Sequence, residues 1–243
     1  MTYCVGMVLD SGLMFMSDTR TNAGLDNIST FRKMHVIEQP GERVLTLMTA
    51  GNLATTQAVV SLLEERSKAV DEREPSLLKA PSMFQAARMV ADTLREVIAT
   101  HAKAGQEADS AFRATIILGG QIKGSPPRMF LIYPEGNFIE AGDDTPFFQI
   151  GEIKYGRPIL VRAYDRAMPF AEAMRLLLVS FDSTVKANLT VGAPFDYHFY
   201  EADSFRAGKQ GRITADDPYY DAVSTGWGEA LKAALQSLPR FDG

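Results

Sequence analysis

Residues 3–9 and 13–18 are apolar on both faces, and the polar break Asp10-Ser11-Gly12 between them predicts a hairpin turn joining two buried strands. Strands that are wet on neither face require a layer above and a layer below. A second hairpin is predicted from MHVIEQ (34–39) and RVLTLMTA (43–50), turning at Pro40-Gly41-Glu42. From Asn52, a residue suited to an N-cap, the apolar period becomes helical, and Ala54, Ala58 and Leu62 carry it to about Val70. A polar linker through Pro75 and Pro81 leads to a second helix from near Ser82. Its stripe is Met83, Ala87, Val90, Leu94, Val97 and His101.

The runs ATIILGGQI (114–122), MFLIY (129–133), FIEA (138–141) and FFQI (147–150), with a turn at Pro134-Glu135-Gly136-Asn137, read together as a second antiparallel meander. Two further helical patterns cover about 153–165 and 169–188, with Pro169 in the first turn of the latter. A strand near 195–202 and a helix from near Pro218 to about Leu238 complete the chain. No linker is rich enough in Gly, Pro or Ser to divide it, and no repeat of fixed period is evident. The expectation is one α+β domain spanning 1–243, a four-layer α-β-β-α sandwich.

Composition narrows the function classes. With 243 residues, 46% of them hydrophobic, the chain can bury a large core. The 25 basic and 30 acidic side chains are spread along the length, so there is no basic stripe and no nucleic-acid partner is expected. No stretch approaches membrane-spanning length, and the opening MTYCVGMVLDSGLMF lacks a basic region and is broken by Asp10 and Gly12, unlike a signal peptide. Cys4 is the single cysteine, which excludes an intramolecular disulfide and fits a reducing compartment, so a cytoplasmic location is expected. His35, His101 and His198 lack metal-ligand spacing and are read as structural; Gly119-Gly120 and the 209–211 stretch lack the helix that a phosphate loop needs. Neither a metal nor an organic cofactor is expected.

Candidate chemistry begins at Thr2. Threonine is small enough for removal of Met1 to be expected, which leaves an α-amine and a hydroxyl on one residue. An α-amine titrates near ~7.7–8.0, so at neutral pH it is available as a base. It can take the hydroxyl proton, directly or through water, while the oxygen attacks a carbonyl. Threonine is common in second position, so this reading needs companions.

They follow in TYCVGMVLDSGLMFMSDTRTNAG (2–24), in FRKMHVI with Lys33, and in Thr49-Ala50-Gly51 just before a helix. This text resembles the proteasome-type peptidases, which are N-terminal nucleophile hydrolases, and TYCVGM with SDTRTNAG is most similar to the bacterial branch called Anbu, the ancestral beta subunit. Element order extends the resemblance over the whole chain, but the specific motifs lie within the first 51 residues. The resemblance implies the fold of that hydrolase class, with Thr2 as nucleophile and Lys33 as the cation favouring its deprotonated form. Asp18 would orient Lys33, Gly51 would give its backbone N–H to an oxyanion hole, and Thr21 and Thr49 would contact substrate. It further implies a homo-oligomeric ring or spiral acting on peptide or unfolded-protein substrates, with helices 52–70 and 82–104 as candidate subunit contacts. Whether an ATPase partner docks stays open.

Some positions depart from the family pattern. With a two-residue loop in the first turn, Thr2 faces Thr21 while Asp18 pairs with Val5 and points to the opposite face, so a bulge or another loop length is required. Lys33 aligns only through a one-residue gap in the preceding loop. Glu152 stands where the family has a catalytic-site serine, and, aligned on Gly192-Ala193-Pro194, Asn188 and Val191 replace the usual aspartate and serine. Plainer readings also exist: an Asp18–Arg20 ion pair, a solvated strand-end Lys33, and a polar helix face with back-bonding hydroxyls at Asp182-Ser183-Thr184. A chain trimmed to Cys4 would be an N-terminal cysteine amidase. Alternatives to the hydrolase are a biosynthetic amidase or peptide-ligating enzyme on a small substrate, and a catalytically inert structural ring subunit.

Overall fold

The computed structural model describes residues 1–22, 28–68, 76–101 and 111–241. Tyr3–Leu9 (β1) and Gly12–Asp18 (β2) form the expected hairpin. Its loop is the two residues Asp10-Ser11, with Leu9 opposite Gly12 and Cys4 opposite Ser17. Met16, rather than Asp18, therefore faces Val5. Asp18 comes level with the start of β1, where its Oδ1 accepts the Tyr3 N–H at 2.9 Å, and no bulge is needed.

Arg20–Asn22 (β3) and Ile28–Thr30 (β4) pair as a short ribbon, absent from the sequence expectation. The second hairpin is Met34–Gln39 (β5) and Arg43–Gly51 (β6). The helix Leu53–Lys68 (α1) follows, and Asn52 Oδ1 accepts the Thr55 N–H at 3.0 Å as the expected cap. Val70, Pro75 and residues 102–104 lie outside the described residues. Before Met83–His101 (α2) the described part of the linker forms a 3-10 turn, Leu77–Lys79, with Leu77 buried.

Ala114–Ile122 (β7), Arg128–Ile132 (β8) and Phe138–Glu140 (β9) form the expected meander. Phe147–Gly151 (β10) does not continue it: this strand crosses to β1, where Ile150 lies opposite Cys4. Arg157–Ala163 (α3) is shorter than its predicted span, whereas Phe170–Ala187 (α4) follows its own closely, with Pro169 at the cap. Phe195–Glu201 (β11), Lys209–Ile213 (β12) and Pro218–Ser237 (α5) end the order, β12 being a strand too polar to be legible in advance.

The strands make two five-stranded antiparallel sheets, β10-β1-β2-β11-β12 and β5-β6-β7-β8-β9. Strand alternation sorts their side chains into three apolar clusters. From β1 and β2, Tyr3, Val5, Met14 and Met16 meet Leu160, Leu177 and Phe181 of α3 and α4. From β6 and β7, Leu45, Leu47 and Leu118 meet Val59, Val90 and Leu94 of α1 and α2. The opposite faces meet each other, with Cys4, Leu13 and Phe15 against Val44, Met48 and Ile117. Every residue of β2 is buried, as a strand covered on both faces must be.

α5 docks through its first turns, where Tyr220 and Val223 pack against the α4 side and the Tyr220 hydroxyl donates to the buried Asp182 at 3.4 Å. Lys186 pairs with the same carboxylate at 2.9 Å. The back-bonding expected of the neighbouring hydroxyls is present at Thr184, whose Oγ1 donates to the Ser180 carbonyl at 2.9 Å.

His198 joins the two sheets. Its Nε2–H donates to the Ala207 carbonyl, its Nδ1 accepts the Thr46 hydroxyl at 2.8 Å, and its ring stacks on Phe15. Burial pulls its pKa down from 6.5 to about 4, so the native ring stays neutral where an unfolded chain is already protonated. Stability should therefore fall as pH drops from 6.5 towards about 4. Urea unfolding across that range should show this slope in wild type and a shallower one in His198→Gln.

Candidate active site

The start of β1 is fixed from several sides. The Thr2 carbonyl accepts the Glu152 N–H at 2.6 Å. Gly151 has φ +83°, and a Cβ there would stand 2.0 Å from the Thr2 oxygen, so only glycine lets β10 end against this residue. One position on, the buried Tyr3 hydroxyl accepts from Gln149 Nε2 at 2.7 Å and donates to Ser180 Oγ at 2.7 Å; Ser180 in turn donates to the Gly156 carbonyl at 3.1 Å. Burial pushes the Tyr3 phenol up to about 12, so it remains a neutral donor.

Lys33, at the entry to β5, sends its Nζ to Asp18 Oδ1 at 2.7 Å and to the Arg20 carbonyl at 2.6 Å. The lysine side chain is 6% exposed and that of Asp18 0%. Burial pushes the Asp18 carboxyl upward, and the Lys33 ammonium and Tyr3 amide pull against that by favouring the carboxylate. Lys33 is thus no solvated strand-end lysine, and Asp18 does not pair with Arg20. The Arg20 guanidinium instead donates to the Leu189 carbonyl at 3.0 Å. The loop expected to hold the one-residue gap includes residues 23–27, outside the described residues.

Thr2, Thr21, Lys33, Thr49 and Gly51 line one cleft of about 740 Å³, with Asp18 behind Lys33. Gly51 has φ +116°, and a Cβ on it would lie 2.4 Å from the Arg113 carbonyl, so this end of β6 also demands glycine. His35, read from sequence as structural, lines the cleft as well, with Gln57 and Glu64 from α1. Burial lowers the His35 pKa, opposed by the charge of Glu64 and reinforced by that of Arg32. Met1 lines the cleft as well. The Met1 amine is pulled down by burial and then by Lys33, and pushed up by Asp18 and Glu152.

No protein-family model and no curated protein matches this chain. Among solved structures, Anbu (ancestral beta-subunit) from Yersinia bercovieri is 50% identical over 100% of both chains, with a TM-score of 0.92. Anbu from Hyphomicrobium sp. strain MC1 is 50% identical over 100% of both chains, with a TM-score of 0.91. The helical assembly of the Anbu complex from Pseudomonas aeruginosa is 46% identical over 100% of this chain and 99% of that one, with a TM-score of 0.91. The chain belongs to the Anbu family.

Two departures of this Anbu chain from the wider proteasome-type pattern meet in space. Asn188 Nδ2 donates to Glu152 Oε2 at 3.0 Å, while Glu152 Oε1 accepts the Lys154 N–H at 3.0 Å. Asn188 Oδ1 is occupied by the Thr190 N–H and hydroxyl at 3.0 and 2.6 Å. The third departure, Val191, is a buried member of the apolar cluster under α4. Cys4 does not share the cleft. It is buried between the sheets, its Sγ 3.9 Å from the Thr49 carbonyl, and burial pushes its thiol far above the ordinary range.

A buried ammonium left without its anion is costly, about 3–5 kcal/mol. Asp18→Ala should lower unfolding stability by that order in urea titrations. Asp18→Asn combined with Lys33→Met, which leaves no buried charge, should recover most of the loss.

Proposed function

We propose that this Anbu chain is a threonine-type hydrolase that loses Met1 and cleaves peptide or amide bonds through a covalent ester on Thr2. The observation that carries the reading is the buried Lys33 ammonium, held by Asp18 at 2.7 Å in the wall of the cleft that Thr2 and Gly51 also line. The two facing sheets with helices on their outer faces support the four-layer α-β-β-α sandwich of the N-terminal nucleophile hydrolase type.

In the proposed cycle the freed Thr2 amine takes the hydroxyl proton as Oγ1 bonds to the carbonyl carbon. The ammonium then returns that proton to the leaving amine as the C–N bond breaks. Water, deprotonated by the same amine, hydrolyses the ester and restores the hydroxyl. Lys33 favours the developing negative charge on Oγ1, and Asp18 keeps Lys33 charged and aimed. The Gly51 N–H donates to the oxyanion, and Thr21 and Thr49 contact the substrate. The helical assembly of the Pseudomonas aeruginosa relative supports a homo-oligomer, with peptide or unfolded-protein segments entering the cleft from within it.

Intact mass should show loss of Met1, and a peptidyl β-lactone should add one acyl group to Thr2 of wild type and none to Thr2→Ala. A folded wild-type chain that keeps Met1, or loses it and takes no acyl group, would overturn the proposal and favour an inert ring subunit.

A further inference from the structure

Glu152 is a buried carboxylate with no ion-pair partner among the described residues. It is 7% exposed, and its two oxygens take neutral donors, the Lys154 N–H and the Asn188 amide. Among the described residues no lysine or arginine side chain forms an ion pair with it. Taking a carboxylate out of water is costly, and a nearby positive charge offsets that cost more fully than neutral donors do. Its backbone stands directly against Thr2, with the Glu152 N–H 2.6 Å from the Thr2 carbonyl oxygen. The charge of Lys33 is already matched by Asp18.

Proton transfer from the Thr2 hydroxyl to the α-amine would create a second ammonium in the same site as Lys33. We infer that Glu152 is the positioning residue for the Thr2 amine, its tethered carboxylate balancing the α-ammonium that forms when the amine accepts a proton. Asn188 is the tether: by donating to Oε2 while Thr190 occupies its own oxygen, it fixes the carboxylate at the end of β10. The other charged groups acting on the chain's amino terminus are Lys33, which disfavours an ammonium, and Asp18, which favours one. Glu152, like Asp18, favours an ammonium on Met1.

The inference takes Thr2 as the amino terminus, and it rests on the hydrolase reading in that respect alone. Competitive labelling with trace acetic anhydride, read by mass spectrometry on the amino-terminal peptide of the Met1-free chain, gives the titration midpoint of the Thr2 amine. Removing a nearby carboxylate should lower that midpoint, by about half a pH unit to one unit in Glu152→Gln. Glu152→Asp, which keeps the charge, should restore most of the difference. If Glu152→Gln fails to fold, Glu152→Ser provides a smaller neutral side chain and the same expected shift. A midpoint equal to wild type in either folded neutral variant would overturn the inference. β-Lactone acylation of the same samples keeps the two readings apart. A shifted midpoint without acylation would sink the hydrolase and leave the role of Glu152 standing, whereas acylation with an unshifted midpoint would do the reverse.

Discussion

A lysine ammonium cannot leave water without an anion to meet it, and in this chain the anion comes from the other sheet. Asp18 ends β2 in one five-stranded sheet, Lys33 leads into β5 of the other, and 2.7 Å separates their charges. The pair therefore fixes how the sheets align at this end of the molecule. Asp18 also accepts the Tyr3 amide, so the strand carrying Thr2 is bound to the same carboxylate. One ion pair thus sets both the relative position of the sheets and the position of the candidate nucleophile.

The remaining contacts serve this arrangement. The Tyr3 hydroxyl chain through Gln149, Ser180 and Gly156 anchors β1 to β10 and to the helical layer, which stops the strand end from fraying into the cleft. Gly151 and Gly51 adopt left-handed backbone where a side chain would strike a neighbouring carbonyl, and they frame the cleft from β10 and β6. The Glu152–Asn188 pair joins the end of β10 to the residue that caps α4. The cleft is lined by the ends of β6 and β10, the residue that leads into β1, the start of β5 and the first turns of α1, so it belongs to the layered fold and is not a loop added to it.

Much of this was legible from periodicity. The first two hairpins, α1, α2 and α4 have long apolar patterns, and they form within a few residues of expectation. The register of the first hairpin differs from expectation because Gly12, a turn residue by type, is the first residue of β2. β10 leaves the expected meander because a strand buried on both faces carries no mark of which sheet it joins. β3, β4 and β12 are too short or too polar for alternation to announce them. At the site, motif spacing brought Thr2, Asp18, Lys33 and Gly51 forward, but the cleft position of His35 and the contact between Glu152 and Asn188, 36 residues apart, depend on packing that no local period encodes.

The central claim is that the buried Lys33 charge has a chemical role as well as a structural one. The most direct measurement is the rate at which a peptidyl β-lactone acylates Thr2 in a Met1-free chain carrying Asp18→Asn with Lys33→Met, a variant close in shape but without the charges. The account predicts a folded protein whose acylation is slowed by about a hundredfold or more, the order expected when a charge-stabilising group is lost. Acylation at the wild-type rate in that folded variant would contradict it.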